Sequence, residues 1–324
     1  MAAPWPSRAR PVGPAGIGPV SIAVILLLAL LLDGIFGEPK WLWSRIPHPA
    51  VLMGRAVGWM DTRFNTGDTK KRNGILSLTA LCFTAGMIGF LVSILPDYGI
   101  IQTLIAAILL AQKSLTQHVT AVANALRLST GDGRLAVAQI VGRDTRNLDD
   151  SAIARGAIES AAENLSDGIV APAFWFLLLG LPGLLIYKIT NTADSMIGYL
   201  TPRHRDFGWA AARFDDLINW IPARITALLI ALTHASISKW RIILRDAPLH
   251  RSPNAGWPEA AMATALNVAL AGPRSYDGVM HDFPFVNNDG HHTLTPRDID
   301  AAAAALWRVW WALLFITALV ALFI

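Results

Sequence analysis

The sequence predicts an all-α polytopic membrane protein, with about four clear transmembrane helices plus re-entrant or half-buried helices that form a cytoplasmic-side site. Three observations predict this class. The 324 residues are 53% hydrophobic and only 15% charged, whereas soluble domains are about 25% charged. Apolar stretches recur from the beginning of the chain to its end, and the lysines and arginines lie between them. We therefore expect one integral membrane domain over residues 19–324, multi-pass in the cell (cytoplasmic or inner) membrane.

Residues 1–18 precede the first apolar run and are rich in Pro, Gly and Ala, with Arg8 and Arg10 as their only charges. This composition predicts a disordered leader. A cleaved signal peptide is the alternative, but no small-x-small cleavage site follows the apolar run, which ends in Asp33-Gly34. An anchoring helix after a leader is therefore favoured.

Four segments have the roughly 20 mostly apolar residues that a transmembrane helix needs. They are 19–36, 74–95, 98 to about 115, and 303–324. The short turn Pro96-Asp97 joins the second segment to the third and has no positive charge, whereas several lysines and arginines separate the first two. Because positive charge favours the cytoplasmic side, residues 37–73 should face the cytoplasm.

Residues 116–302 are mostly polar and contain two apolar segments that are doubtful as spans, 168–187 and 221–235. The first is interrupted by prolines, and the second is short and carries an arginine. If both crossed the membrane, the basic segment 188–220 would lie outside, which the charge rule disfavours. A re-entrant or half-buried pair avoids this, since irregular backbone is allowed where it lines a cavity. We therefore predict cytoplasmic catalytic segments at 37–73 and 116–302.

A helix is predicted to begin after two adjacent aspartates that can act as its N-cap. Glu159 and Glu163 lie one turn apart on it, with Arg155 one turn earlier and Asn164 and Asp167 following. Two carboxylates at this spacing can hold Mg²⁺ or divide into an acid and a base. A solvated stripe with an Arg155–Glu159 ion pair is the alternative. The position of these residues at a membrane boundary favours a functional role, because ionisable groups are costly there.

A second helix is predicted after Pro182-Gly183. Lys188 and Asn191 share one face of it, and Asp194 lies at the edge of that face. A cation, an amide and a carboxylate on a half-buried helix suit a phosphorylated substrate, with Lys188 as a point charge for phosphate. A polar seam that packs against another helix is the alternative.

A third group combines the adjacent Asp215 and Asp216 with Arg203, Arg213 and Arg224. Aspartates with nearby arginines can coordinate Mg²⁺ and bind phosphates. They can equally form intrahelical ion pairs without any chemistry, and spacing does not choose between the two.

Several classes of site are excluded. The sequence has no Walker A motif, no Gly-x-Gly-x-x-Gly, no His-Glu-x-x-His and no Gly-x-Ser-x-Gly, so any nucleotide is bound in a less familiar way. Cys82 is the single cysteine, which rules out a disulfide or a Cys-rich zinc site. A dispersed net charge of +4 does not imply nucleic acid as a partner.

Seven segments, taken together, resemble the CobD/CbiB family of cobalamin biosynthesis proteins, the adenosylcobinamide-phosphate synthases. They occur in the family's order and are DGIFGEP (33–39), HPAVLMGR (48–55), GRDT (142–145), ESAAENLSDGIVAPAF (159–174), NTADSMIGY (191–199), FGWAAARFDDLINWIPARITA (207–227) and SPNAGWPEAAMA (252–263). The departures are small: Leu165 stands where threonine is expected, and Ala193 where leucine is usual.

The resemblance implies an ATP- and Mg²⁺-dependent ligase. The amine of aminopropanol phosphate would be joined to a propionate carboxylate of adenosylcobyric acid, giving adenosylcobinamide phosphate. The corrinoid is then a substrate, ATP and Mg²⁺ are the cofactors, and the lipid bilayer and other cobalamin-pathway membrane enzymes are the expected partners. Such a site must bring several anionic groups together, so it needs metal-binding carboxylates and cations.

Residue roles follow from the resemblance and the spacing together. We expect catalytic roles for Glu159, Glu163, Asp167, Lys188 and Asp194, and Mg²⁺ at Glu159, Glu163, Asp215 and Asp216. Substrate or phosphate binding is expected at Arg55, Arg143, Asn164, Asn191, Arg203, Arg213, Arg224, Asn254 and Glu259.

Two other functions remain open from the sequence. A noncatalytic membrane scaffold for cobalamin-pathway enzymes would need no paired carboxylates. A small-molecule transporter should carry polar groups near the middle of several spans, whereas the four clear spans contain almost no charge.

Overall fold

A computed structural model describes residues 20–142, 144–276 and 279–323. The expected leader and Arg143 lie outside this part of the chain. The described chain is predominantly helical, and its strands are only two or three residues long. The all-α class is therefore confirmed.

The helices are α1 (Ile22–Phe36), α2 (Lys40–Trp43), α3 (Pro49–Phe64), α4 (Lys70–Ser93), α5 (Ile100–Leu109), α6 (Gln112–Leu128), α7 (Thr130–Val137), α8 (Asp150–Leu165), α9 (Ala171–Ile197), α10 (Trp209–Ile218), α11 (Trp220–Thr233), α12 (Trp240–Asp246), α13 (Gly256–Leu266) and α14 (Pro296–Phe323). A π-helical turn, Ser166–Val170, joins α8 to α9. Strand β1 (Leu270–Ala271) pairs antiparallel with β4 (Phe285–Val286), and β2 (Arg274–Tyr276) pairs with β3 (Val279–His281).

Four described helical stretches are long and apolar enough to cross a membrane. They are Lys70–Ser93, Ile100–Leu128, Asp150–Ile197 and Pro296–Phe323. The count of four matches the prediction, but one member differs, because Asp150–Ile197 takes the place of the predicted span at 19–36. Helix α1 has 15 residues, about 22 Å, which is shorter than the roughly 30 Å hydrocarbon core.

The two segments predicted to be re-entrant have different structures. Residues 168–187 belong to the long stretch Asp150–Ile197, which is broken where Gly180 adopts φ 64° and ψ −155°, just before Pro182. The axes of α10 and α11 meet at an angle of 44°. Together the two helices are long and apolar enough to form one broken span or a re-entrant loop. An interruption before Pro182 was expected from the sequence, and the re-entrant arrangement stays a prediction.

A second break separates α5 from α6 at Leu110 and Ala111. The Asp33 carboxylate of α1 accepts a hydrogen bond from the Gln112 backbone N–H across 2.8 Å, and Lys113 Nζ donates to the Ile35 carbonyl at 2.5 Å. A buried helix start needs such partners for its free N–H groups. The end of α1 is thus fixed to the start of α6.

Helix α4 packs closely on the second half of α9. A Cβ atom placed on Gly89 would lie 2.6 Å from Pro182 Cα, and one on Gly74 would lie 1.9 Å from the Phe207 carbonyl oxygen. Small residues at these points allow the backbones to approach, as is usual between membrane helices. A separate apolar core forms where α8, α11, α13 and α14 meet.

The close approach of α4 to residue 207 generates a stability prediction. Gly74→Ala should destabilise the protein by about 1–3 kcal/mol, because a backbone atom has to move. In detergent, a thermal melt should show a clear drop in unfolding temperature. Gly142→Ala is the control, since nothing lies within 4 Å of its added Cβ. Equal melting of the two variants would contradict the packing described here.

Candidate active site

The carboxylates of the first predicted stripe lie where α8 meets α9. Helix α8 begins as expected, with the Asp149 carboxylate accepting a hydrogen bond from the Ala152 backbone N–H at 2.7 Å. At its other end the chain takes one π-helical turn that contains Asp167. Such turns are rare inside α-helices and occur frequently at functional sites.

The structure brings together four of the predicted carboxylates, which we call the acidic cluster: Glu163, Asp167, Asp194 and Asp215. Asp167 interacts electrostatically with Glu163 and Asp215, and Asp194 interacts with Glu163 and Asp215. These side chains come from α8, the π-turn, α9 and α10. Residues that are 52 positions apart in the chain, Glu163 and Asp215, therefore belong to one site.

The acidic cluster is accessible from the protein surface although protein atoms surround most of it. The side chain of Glu163 is exposed, and those of Asp167, Asp194 and Asp215 are partly exposed, yet each lies deep among protein atoms. Side chains that line a recess open to the surface combine these two features. Concave sites with convergent polar groups are the usual places for ligands.

Two further side chains hold the cluster in place. The Asn219 amide donates to Asp215 Oδ2 at 2.9 Å, and the Tyr187 hydroxyl lies 3.0 Å from Asn219 Oδ1 and 3.1 Å from the Asp167 carbonyl oxygen. The predicted Asn191 also faces Asp215, with its amide 3.4 Å from Oδ1. No role is predicted for Tyr187 from the sequence. Its place beside the polar face of the helix could have indicated one, since a buried tyrosine hydroxyl needs a hydrogen-bond partner.

Lys188 joins the cluster to the N-terminal segment. It interacts electrostatically with Asp167 on one side and with Glu38 and Asp33 on the other. His48, which also interacts with Glu38 and Lys188, accepts a hydrogen bond from the Ala50 backbone N–H at Nδ1 across 3.1 Å. Burial lowers the pKa of His48 below its usual value, as suits a neutral ring that caps α3.

Glu159 is placed differently from the other stripe carboxylates. It is buried, and its Oε1 accepts a hydrogen bond from the Ala271 backbone N–H of β1 at 2.8 Å. It also interacts electrostatically with Glu163. The contact connects the short-stranded segment to α8 next to the cluster, and a catalytic or metal role for Glu159 stays a prediction.

Among the residues that the structure describes, the predicted phosphate-binding arginines make their contacts outside the acidic cluster. Arg203 is 2.5 Å from Asp61 of α3. Arg224 lies over the Trp220 and Trp257 rings, at 4.5 and 4.6 Å from their centroids, and donates to Asn254 Oδ1 at 2.9 Å. These contacts connect neighbouring segments of the fold.

The remaining predicted residues lie at or beyond the edge of the cluster. Arg213 is 3.9 Å from Asp216, and Asp216 interacts electrostatically with Asp194. Asn164 donates to the Ser160 carbonyl at 2.9 Å, Glu259 is buried 3.7 Å from His250, and Arg55 is exposed.

The site suits Mg²⁺ by the chemistry of its donors. Within the described ranges, no three Asp, Glu, His or Cys side chains form a ready-made metal site. Mg²⁺ does not require one, because it commonly takes one or two carboxylates together with substrate phosphates and water. The carboxylates of the acidic cluster meet this requirement.

Comparison with known proteins gives a consistent result. The family model described as CobD/Cbib protein matches residues 26–306. The cobalamin biosynthesis protein CobD of Brucella suis is 52% identical over 303 residues, covering 88% of this chain and 92% of that protein. The CobD proteins of a Sinorhizobium species (48% identical; 89% and 94% covered) and Halalkalibacterium halodurans (40%; 88% and 92%) also match. No solved structure matches.

The Arg203–Asp61 contact generates a prediction about stability. Burial alone would raise the pKa of Asp61, but hydrogen bonds from Asn65 and Arg203 hold it below its usual value of 3.8. The ionised Asp61 therefore stabilises the folded protein above about pH 3.8. This stabilisation is lost as the pH falls through the lower pKa that Asp61 has in the folded state. Asp61→Asn and Arg203→Gln should each lower the unfolding temperature at neutral pH.

A double-mutant cycle separates this contact from unrelated effects of each change. The double variant should melt close to the less stable single variant, because both changes remove one interaction. Strictly additive losses would show that the two side chains act independently.

Proposed function

Because the chain belongs to the CobD/CbiB family of cobalamin biosynthesis proteins, we propose that it is the ligase that forms adenosylcobinamide phosphate. It would join the amine of aminopropanol phosphate to a propionate carboxylate of adenosylcobyric acid and consume ATP. The observation that carries the proposal is the acidic cluster beside Lys188, whose carboxylates are still accessible from the protein surface. A scaffold would have no use for such a concentration of charge.

The reaction itself explains why opposite charges are needed in one place. A carboxylate oxygen is a poor leaving group, so ATP must first convert it to an acyl phosphate or an acyl adenylate. The amine then loses a proton and attacks the acyl carbon, and phosphate or AMP departs as the amide forms. ATP, the phosphorylated amine and the propionate are all anionic, and their approach to carboxylates requires cations.

Mg²⁺ would supply part of that charge, by neutralising the phosphate oxygens where it binds. Asp167 and Asp215, which interact with each other, are the two side chains that we expect to hold it. Lys188 would contact a phosphate as a point charge, and its present interaction with Asp167 keeps it at the same site. Asn191 and Asn219 fix the orientation of Asp215.

Glu163 is the candidate base for the amine. Its side chain is the exposed member of the acidic cluster, and it interacts with Glu159 and Asp194. An ammonium group that enters the recess would be attracted to this concentration of carboxylates and could transfer a proton to Glu163. We place the recess on the cytoplasmic side, because the basic residues of 37–73 lie on the segment that also supplies Glu38 and His48.

The direct test uses the full chain in detergent with adenosylcobyric acid, aminopropanol phosphate, ATP and Mg²⁺. Corrinoid mass and nucleotide products should be followed together. Adenosylcobinamide phosphate with ADP would indicate an acyl-phosphate route, and the same product with AMP an adenylate route. Folded protein that yields neither corrinoid product nor nucleotide turnover would favour the scaffold.

Single substitutions test the roles within the recess. Glu163→Gln and Asp167→Asn should each reduce turnover by about 10²–10³-fold, the size expected when one preorganised charged group is lost. Asp167→Asn should also raise the Mg²⁺ concentration needed for half-maximal rate. Asp68→Asn, which changes an exposed carboxylate outside the cluster, is the matched control. Full activity in both cluster variants would end the assignment.

A further inference from the structure

An amphipathic groove lies between α4 and α10, away from the acidic cluster. It encloses about 660 Å³, and its lining is mainly apolar. Ile75, Leu78 and Phe83 line one wall, and Phe214 and Leu217 line the other. Only 11% of the most apolar part of α4 is buried inside the protein. The groove therefore opens on a surface that the bilayer should cover.

One end of the groove is basic. Lys71 Nζ lies 3.9 Å from the centroid of the Trp209 ring, which lines the groove. Lys70 and Arg72 flank Lys71 at the start of α4, and among the described residues no carboxylate forms an ion pair with any of the three. Arg213, also in the lining, has a side chain that is 70% exposed and is 3.9 Å from Asp216. Cations with nearby tryptophan are typical of the membrane interface.

The far end of the groove is apolar. From Ile75 to Phe83 the groove follows about 12 Å of helix, and its opposite wall runs from Trp209 to Leu217. A second groove of about 440 Å³ lies on the other side of Phe214 and Leu217, and these two residues and Ile186 line both grooves. Its lining is almost wholly apolar. One basic end with two adjoining apolar grooves has the polarity of a phospholipid with two acyl chains.

We propose that this surface is a binding site for an anionic phospholipid. The headgroup phosphate contacts Lys71 and Arg213 at the basic end, and the acyl chains lie in the two grooves on either side of Leu217. Net negative charge is required, because several cations meet at this end and a zwitterionic headgroup would place its own cation against them. A second copy of the chain is a poorer match, since the cations of both copies would meet.

The test compares phosphatidylglycerol with phosphatidylcholine, added to delipidated full-length protein in detergent, with binding counted by native mass spectrometry. The wild type should bind phosphatidylglycerol more tightly by about tenfold. Lys71→Gln should lose about fivefold of that affinity, the contribution expected of one lysine near a phospholipid headgroup. Ala210→Trp, which fills the groove without changing charge, should weaken binding as well. Arg72→Gln, with equal charge loss beside the groove, is the matched control.

The outcomes separate a specific site from general attraction. A loss confined to Lys71→Gln and Ala210→Trp, in variants that melt like the wild type, supports the proposal. An equal loss in Arg72→Gln would mean that surface charge alone recruits the lipid, and equal binding of phosphatidylcholine would mean ordinary annular lipid. A wild-type dimer that Ala210→Trp converts to monomer would assign the groove to a second copy. Each of these last three results overturns the proposal.

Discussion

The mutual repulsion of carboxylates held close together inside a membrane protein is the constraint on which this structure depends. Each of the four carboxylates in the acidic cluster, Glu163, Asp167, Asp194 and Asp215, interacts electrostatically with two of the others. Unpaired charge away from bulk water is costly, so such a cluster persists only if water, a nearby cation and hydrogen-bond donors offset the repulsion. The side chains keep part of their surface accessible, Lys188 supplies the cation, and the Asn219 amide supplies a donor.

The irregular helix segments around the site follow from the same constraint. A break or a π-turn frees backbone groups that hydrocarbon cannot satisfy, so it is tolerated only where protein supplies partners. The Asp33 carboxylate supplies one at Gln112, and the Tyr187 hydroxyl supplies one at the Asp167 carbonyl. Both partners are themselves polar side chains of the site region. Irregular backbone and buried polarity therefore support each other here.

Part of the fold and part of the candidate site could be predicted from local sequence patterns. The aspartate cap before α8 and the break before Pro182 were readable, because each depends on residues a few positions apart. The partners of Arg203 and Arg224 were not, since Asp61 is 142 positions from Arg203 and Asn254 is 30 from Arg224. The first apolar segment was predicted to be longer than α1, because apolar residues also precede Ser21. The structure starts the helix after Ser21, whose hydroxyl accepts a hydrogen bond from the Val24 backbone N–H.

Helix α10 places the two charged regions of the molecule back to back. On one face of the helix, Trp209, Arg213 and Leu217 recur at four-residue intervals and are exposed. On the opposite face, Asp215 belongs to the acidic cluster. Both faces are therefore fixed by the orientation of one short helix about its axis. Lipid contacts on the outer face would hold Asp215 in the recess, because a rotation that exposed Leu217 to water would also withdraw the carboxylate. With lipid bound in this way, the bilayer would be a structural part of the site.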